Sequence, residues 1–319
     1  MKAATLDRDG TIYAISVKYA PNGKLLRFAP GQSTPTTLLP EGKTALVTDP
    51  VNGAIVVSGD RLYLSAIDGG PTVIMSLGKD GRGLRTLDVP PVSSASQMVA
   101  MPGDDLLYRV RSYTRPSRVL LWKPALGRSI ETPITLTSPL DMSDFAVERV
   151  FATSKDGTKV PMTLVTKKGA KRDGRIPTLL YGYGGYGVNL SPGFLNLMAY
   201  MIVKAGGAYA IANIRGGGEY GERWHQQGML TRKQNVFDDF AAAAEWLKSN
   251  KVTSTDKLAI MGGSNGGLLM GATMTQHPDI AKAVVSEVGI YDMLRVELDP
   301  NGSFNVSEFG SVKDPAQFK

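Results

Sequence analysis

Leu258-Ala-Ile-Met-Gly-Gly-Ser-Asn-Gly-Gly-Leu-Leu-Met270 is the stretch on which the reading of this chain turns. Gly262, Ser264 and Gly266 satisfy G-x-S-x-G between an apolar strand-like run and a helix-like run, the context of a nucleophile elbow. In that turn a serine takes a strained conformation, and neighbours lacking a Cβ let the following helix pack on the sheet. Gly262, Gly263, Gly266, Gly267 and Gly271 are read as supplying the clearance. The turn lifts the Ser264 hydroxyl to a helix N-terminus, where backbone N–H groups, that of Asn265 among them, and the helix dipole can hold an oxyanion.

Around the elbow the sequence alternates strand and helix. Ile176–Tyr181, Ala208–Ile214, Leu258–Met261 and Ala283–Val288 are short apolar runs suited to parallel strands buried on both faces. Val236, Phe240, Ala243 and Leu247 recur at helical spacing, with Asp238 and Asp239 read as first-turn acids. Before these, AVERVFATS and TKVPMTLV, joined by Lys155-Asp156-Gly157, predict an antiparallel hairpin. This part is α/β.

Residues 1–144 read differently. Short strands such as TIYAISVKYA, KLLRFA, RLYLSAI, TVIMSL, QMVAMP, LLYRVRS and RVLLWKP are punctuated by Asn22-Gly23, Asn52-Gly53, Asp68-Gly69 and Asp80-Gly81, with no convincing helix. Such a segment fits a sandwich, a barrel or propeller blades, and periodicity alone does not choose. At about 40–50 residues per blade it would make about three blades, fewer than a closed ring needs. The propeller alternative therefore implies that sequence is missing before Met1.

Composition removes several functions. The chain has 319 residues, 42% of them hydrophobic and 20% charged, with no cysteine and two histidines. Thiolate catalysis, disulfides and cysteine-ligated zinc or iron–sulfur sites are excluded, and a His-rich metal site is not expected. The net charge is +7. Its one dense cluster, Lys167, Lys168, Lys171, Arg172 and Arg175, lies in a loop without interleaved aromatics, so it reads as a solvated loop rather than a nucleic-acid surface. Gly182, Gly184 and Gly187 match G-x-G-x-x-G formally, but no acidic residue occurs between Arg175 and Gly218 to hold a ribose, so no dinucleotide cofactor is expected. Asp7, Arg8 and Asp9 interrupt any export signal, and the apolar run Phe194–Val203 is well short of the roughly 20 residues that span a bilayer. A soluble chain, cytoplasmic or periplasmic, without cofactor, metal, nucleic acid or membrane partner, is the expectation.

YGYGGYG at 181–187, NIRGGGEYGERWHQQG at 213–228, KQNVFDDF at 233–240, GGSNGGLL at 262–269 and VGIYDMLR at 288–295 carry a resemblance. These five ordered blocks resemble the prolyl oligopeptidase family of serine peptidases. The resemblance implies an α/β-hydrolase, a mostly parallel sheet with helices on both faces, over residues 145–319, preceded by part of a seven-bladed β-propeller over 1–144. It implies Ser264 as nucleophile and Tyr183 as the phenol that completes the oxyanion hole with the Asn265 N–H. It also implies a pocket for the residue before the scissile bond formed by Tyr186, Asn265, Ile290 and Phe309. Asn305 stands where better-known members carry a tryptophan that stacks on proline, with Phe304 beside it. The implied substrates are short peptides cleaved after proline or a small residue by a protein that is a monomer when whole. Another acyl hydrolase of the same fold, an esterase or aminoacyl peptidase, and a noncatalytic propeller-based binding protein are the alternatives.

A triad in this fold runs Ser, then Asp or Glu, then His. His277 follows the serine on the same helix, about 20 Å along its axis at about 1.5 Å per residue, and cannot be the base. His225 precedes the serine and reads as a hydrogen-bonded structural histidine. The catalytic Asp and His are expected beyond Lys319, and the chain by itself is expected to be inactive, poorly stable and truncated at both ends.

Overall fold

The computed structural model describes residues 1–48, 53–300 and 302–318. Positive-φ glycines break the first part into short strands: Gly23, Gly69 and Gly81 sit at φ 87°, 64° and 86°, as hairpin turns require. Gly53 is likewise at φ 70°, while its predicted turn partner Asn52 lies outside the described residues. Three antiparallel sheets result. The first holds β1 (Ala3–Leu6), β2 (Ile12–Ser16), β3 (Lys24–Phe28) and β4 (Thr36–Leu39) in sequence order. The second holds β5 (Ala45–Leu46), β6 (Ile55–Ser58), β7 (Arg61–Ile67), β8 (Thr72–Gly78) and β9 (Arg85–Thr86), with β5 and β6 both pairing β7. The third holds β10 (Ser93–Ala100), β11 (Leu106–Ser112), β12 (Arg118–Lys123) and β13 (Arg128–Thr135), again in order.

Period-two alternation explains how these sheets are held. Leu62 and Leu64 enter a core with Tyr13, Ile15 and Leu25, while Tyr63 between them enters a second core with Tyr108 and Trp122. The middle sheet is therefore buried on both faces. The QMVAMP run extends further towards the N-terminus than the sequence suggests, and a register shift between Ser96 and Val99 leaves Val99 exposed.

One compact unit comprises Met1–Leu140 with Ser191–Phe194 and Glu219–Arg223; the other comprises Asp141–Leu190, Leu195–Gly218 and Trp224–Lys319. The second is built on a six-stranded sheet of β14 (Phe145–Thr153), β15 (Lys159–Lys167), β16 (Thr178–Tyr181), β17 (Ala208–Ala212), β18 (Leu258–Gly263) and β19 (Ala283–Glu287). The spatial order is β14-β15-β17-β16-β18-β19. The hairpin pairs β14 with β15, and β15 runs antiparallel to β17, whereas β17, β16, β18 and β19 are mutually parallel. The sheet is thus mixed, parallel where the elbow sits. Its longer helices are α1 (Leu197–Lys204), α3 (Gln234–Ser249) and α4 (Asn265–Gln276), with the short α2 (Glu222–Gln226), shared with the first unit, α5 (Val306–Phe309) and α6 (Pro315–Phe318).

Val236, Phe240, Ala243 and Leu247 of α3 are each fully buried, in one core with Leu180, Ala210 and Ile260. Two expectations need correction. Ala283–Val288 does not form a strand buried on both faces: β19 ends at Glu287 and is exposed along its length, because among the described residues it is an edge strand paired with β18 alone. Asp238 and Asp239 are not first-turn acids, since α3 already begins at Gln234. Asp239 is instead fully buried and accepts from the Arg215 guanidinium at 2.6 and 2.9 Å and from the Arg215 backbone N–H at 3.0 Å. Asp156 of the β14–β15 turn accepts from the same guanidinium at 2.5 Å.

The Arg215 hydrogen bonds hold the Asp156 carboxyl at about 2, below its usual range, against the opposing effect of burial. A folded-state value below the unfolded one means that the pair stabilises the fold above about pH 4 and ceases to as pH falls towards 2. Asp156→Asn is accordingly expected to lower the unfolding temperature at pH 7, with the difference from the parent shrinking as pH falls from about 4 to 2, so that the variant's acid limb is flatter. An acid limb identical to the parent's would show that the pair contributes nothing. Among the described residues no helix is long and apolar enough to cross a membrane.

Candidate active site

Ser264 stands between β18 and α4 at φ 57° and ψ −117°, a conformation that L residues rarely adopt and that costs on the order of 1–3 kcal/mol. Its surroundings impose it. A Cβ at Gly262 would meet the Gly266 carbonyl oxygen at 2.4 Å and one at Gly266 the Gly182 carbonyl oxygen at 2.7 Å. At Gly267 it would meet the Gly289 Cα at 2.6 Å. The Ser264 N–H donates to the Glu287 carbonyl at 2.8 Å, tying the turn to the end of β19. Gly263 departs from the expectation, because a Cβ there meets nothing closer than 3.6 Å. At Gly271 the obstruction is the Tyr291 ring, at 2.7 Å.

The serine is half-buried, and the Asn265 N–H, at the first position of α4, has no acceptor within the helix. Asn265 itself is buried, and its side chain donates to the Tyr183 carbonyl at 2.5 Å. That bond draws the Gly182–Gly187 loop onto the elbow. Gly185 admits the approach, since a Cβ there would meet the Asn265 side chain at 2.5 Å. The Tyr183 phenol faces the Ser264 side chain; burial raises its pKa, a hydrogen bond with Ser264 opposes this, and the Glu308 charge adds to the rise. The phenol therefore stays protonated and able to donate.

Of the residues predicted for the pocket wall, Asn305 and Phe309 contact Tyr186. Its hydroxyl donates to the Asn305 side chain, and its ring lies 5.9 Å edge-on to Phe309 and 5.9 Å from Phe304. Asn305 is buried while Phe304 is exposed. A ring thus stands beside Tyr186 at position 304, next to Asn305. Ile290 is half-buried in the loop after β19.

A buried ionic cluster behind this wall is not foreseen as part of the site. Glu308, 1% exposed, accepts from His225 Nε2 at 2.8 Å and from Lys233 Nζ at 2.8 Å. Burial alone would raise the Glu308 pKa, but the His225 hydrogen bond and the Lys233 charge hold it below its usual value. His225 is therefore hydrogen-bonded away from Ser264, and His277 caps the far end of α4. Lys233 opens the KQNVFDDF block, and that position was the available signal; Glu308 carried none.

Comparison with known proteins decides the family. Residues 193–319 match the model of the prolyl oligopeptidase family. A prolyl endopeptidase of Elizabethkingia meningoseptica is 36% identical over 318 residues, 97% of this chain and 43% of its own length. The chain belongs to the prolyl oligopeptidase family. A family member from Omphalotus olearius is 49% identical over 195 residues, 61% of this chain and 25% of its own. Among solved structures, a prolyl endopeptidase studied for inter-domain dynamics in catalysis and specificity superposes with a TM-score of 0.90 at 38% identity, over 99% of this chain and 46% of that one. A post-proline cleaving enzyme from Rickettsia typhi does so at 0.81 and 29%, over 99% and 48%. The chain spans less than half the length of these prolyl oligopeptidase relatives.

Proposed function

We propose that the protein is a serine peptidase acting on short peptides, with Ser264 as nucleophile. The observation that carries the reading is the forced positive-φ turn at Ser264, with the Tyr183 phenol facing its hydroxyl. Ser264 Oγ attacks the peptide carbonyl as its proton passes to a general base. The Asn265 N–H and the Tyr183 hydroxyl hold the negative charge on the carbonyl oxygen. The tetrahedral intermediate collapses, the leaving amine takes the proton from the base, and water then hydrolyses the acyl-enzyme. His225 is hydrogen-bonded to Glu308 and His277 lies at the far end of α4, so this reading takes the base imidazole from the part of the relatives' length that the chain does not span.

In this reading residues 145–319 are an α/β-hydrolase and the three sheets of residues 1–144 are propeller blades. Tyr186, Phe309, Ile290 and Asn305 line the pocket for the residue before the scissile bond. Tyr186 and the neighbouring Phe304 offer faces to a flat ring, which supports cleavage after proline, while the polar Asn305 floor supports tolerance of small residues. A panel of chromogenic peptide amides and esters carrying proline, alanine or leucine before the scissile bond, offered to the whole protein, tests this. Turnover of proline and alanine amides above leucine amides is expected. Hydrolysis of esters alone would make the protein another kind of acyl hydrolase.

Tyr183→Phe keeps the ring and removes only the hydroxyl. It is expected to lower kcat by about 10²–10³-fold, the cost of one oxyanion donor, with KM changed much less. A raised KM at unchanged kcat would assign the hydroxyl to ground-state binding.

A further inference from the structure

The Gly182–Gly187 loop carries both the phenol that faces Ser264 and the ring of the pocket wall, and its own conformational preference does not hold it in place. Tyr186 sits at φ 55°, in the left-handed region that an aromatic residue disfavours. The loop is fixed from outside at successive groups. Asn265 takes the carbonyl of Tyr183, and Lys233 Nζ donates to the carbonyl of Gly184 at 3.0 Å. The Gly187 N–H donates to the Gly216 carbonyl at 3.0 Å.

Lys233 is in turn held by Glu308 at 2.8 Å, and its ammonium lies 5.1 Å over the Phe309 ring. Glu308 therefore sits at a junction. The segment that carries it also supplies Asn305 and Phe309 to Tyr186, so loop and pocket wall meet across one buried carboxylate. A buried ion pair of this kind seldom adds net stability, because desolvation offsets the attraction. Holding geometry is the use that its placement suits.

We propose that Glu308 is a positioning residue for acyl transfer: by gripping Lys233 and His225 it fixes the Gly182–Gly187 loop, and with it the aim of the Tyr183 hydroxyl at Ser264 and the stance of the Tyr186 ring. The inference rests on the reading of Ser264 as nucleophile. Glu308 touches no reacting atom; it acts on the loop through Lys233 and the Gly184 carbonyl and through the Tyr186 backbone N–H.

The test uses the whole protein as parent, Glu308→Gln, and the double variant Glu308→Gln with Lys233→Met. Three quantities are measured: kcat and KM on a proline peptide amide, the unfolding temperature, and backbone hydrogen exchange over residues 182–188. Glu308→Gln leaves a buried ammonium without its counter-ion, so it is expected to lose stability and to lower kcat about 10–100-fold, with KM within about threefold, as a small misplacement of an oxyanion donor does. The double variant removes both charges. Its unfolding temperature is expected to return towards the parent's while kcat stays low, because without Lys233 the Gly184 carbonyl has no donor. Exchange over 182–188 is expected to quicken in both variants.

A kcat that recovers together with stability in the double variant would reduce Glu308 to a fold-stabilising residue and overturn the proposal. So would an unchanged kcat in Glu308→Gln, or unchanged exchange over 182–188. If the parent itself forms no adduct at Ser264 with a fluorophosphonate, the nucleophile reading fails, and the exchange measurement still decides by itself whether Glu308 anchors the loop.

Discussion

Replacing Ser264 with alanine in the whole protein is expected to lower kcat on peptide amides by about 10⁶-fold, the loss seen when the nucleophile of an acyl-transfer site is removed. The expectation follows from the turn rather than from the serine alone. Gly262, Gly266 and Gly267 leave no room for a Cβ, and the positive φ at Ser264 is forced by their packing against Gly182 and Gly289. A fold that needed only a strand-to-helix connection could relieve that strain with glycine at 264. Ser264→Ala keeps a Cβ at the strained position, so the unfolding temperature is expected to stay close to the parent's and the loss is chemical. Retention of most of the activity in a folded Ser264→Ala protein would remove the nucleophile from the account.

Arg215→Leu is expected to destabilise the protein by about 3–5 kcal/mol, the typical cost of breaking a buried pair and stranding one partner. Arg215 and Asp239 are both buried, and their three side-chain hydrogen bonds are joined by one from the Arg215 backbone N–H. Arg215→Leu leaves Asp239 charged in the core. The double variant Arg215→Leu with Asp239→Leu strands neither charge and is expected to recover most of the loss. Chemical denaturation of the parent and both variants checks this. Equal losses in the single and double variants would mean that packing, not the uncompensated carboxylate, sets the cost.

Sequence alone reaches the elbow because its constraints are local: a strand, a turn without side chains and a helix within a dozen residues. The hairpin at Lys155-Asp156-Gly157 and the glycine-marked turns of the first part are legible for the same reason. The antiparallel join of β15 to β17 is not, since nothing in either strand records which neighbour it will take across intervening helices. Asp239 shows a related failure. Its position near a helix start suggests a surface acid favoured by the helix dipole, whereas its partner Arg215 lies more than twenty residues away beside a run of glycines. Glu308 is harder still. It is one carboxylate among several near the end of the chain, and only the fold brings it to Lys233 and His225. Phe304 beside Asn305 marks the boundary between the two cases: the substitution is visible in sequence, but its ring contact with Tyr186 is not.

The most direct test of the central claim is to treat the whole protein with a fluorophosphonate and locate the adduct by peptide mass spectrometry. One adduct on Ser264 is predicted, absent after denaturation and absent from Ser264→Ala. An active protein that remains unmodified at Ser264, or carries the adduct on another residue, would contradict the account.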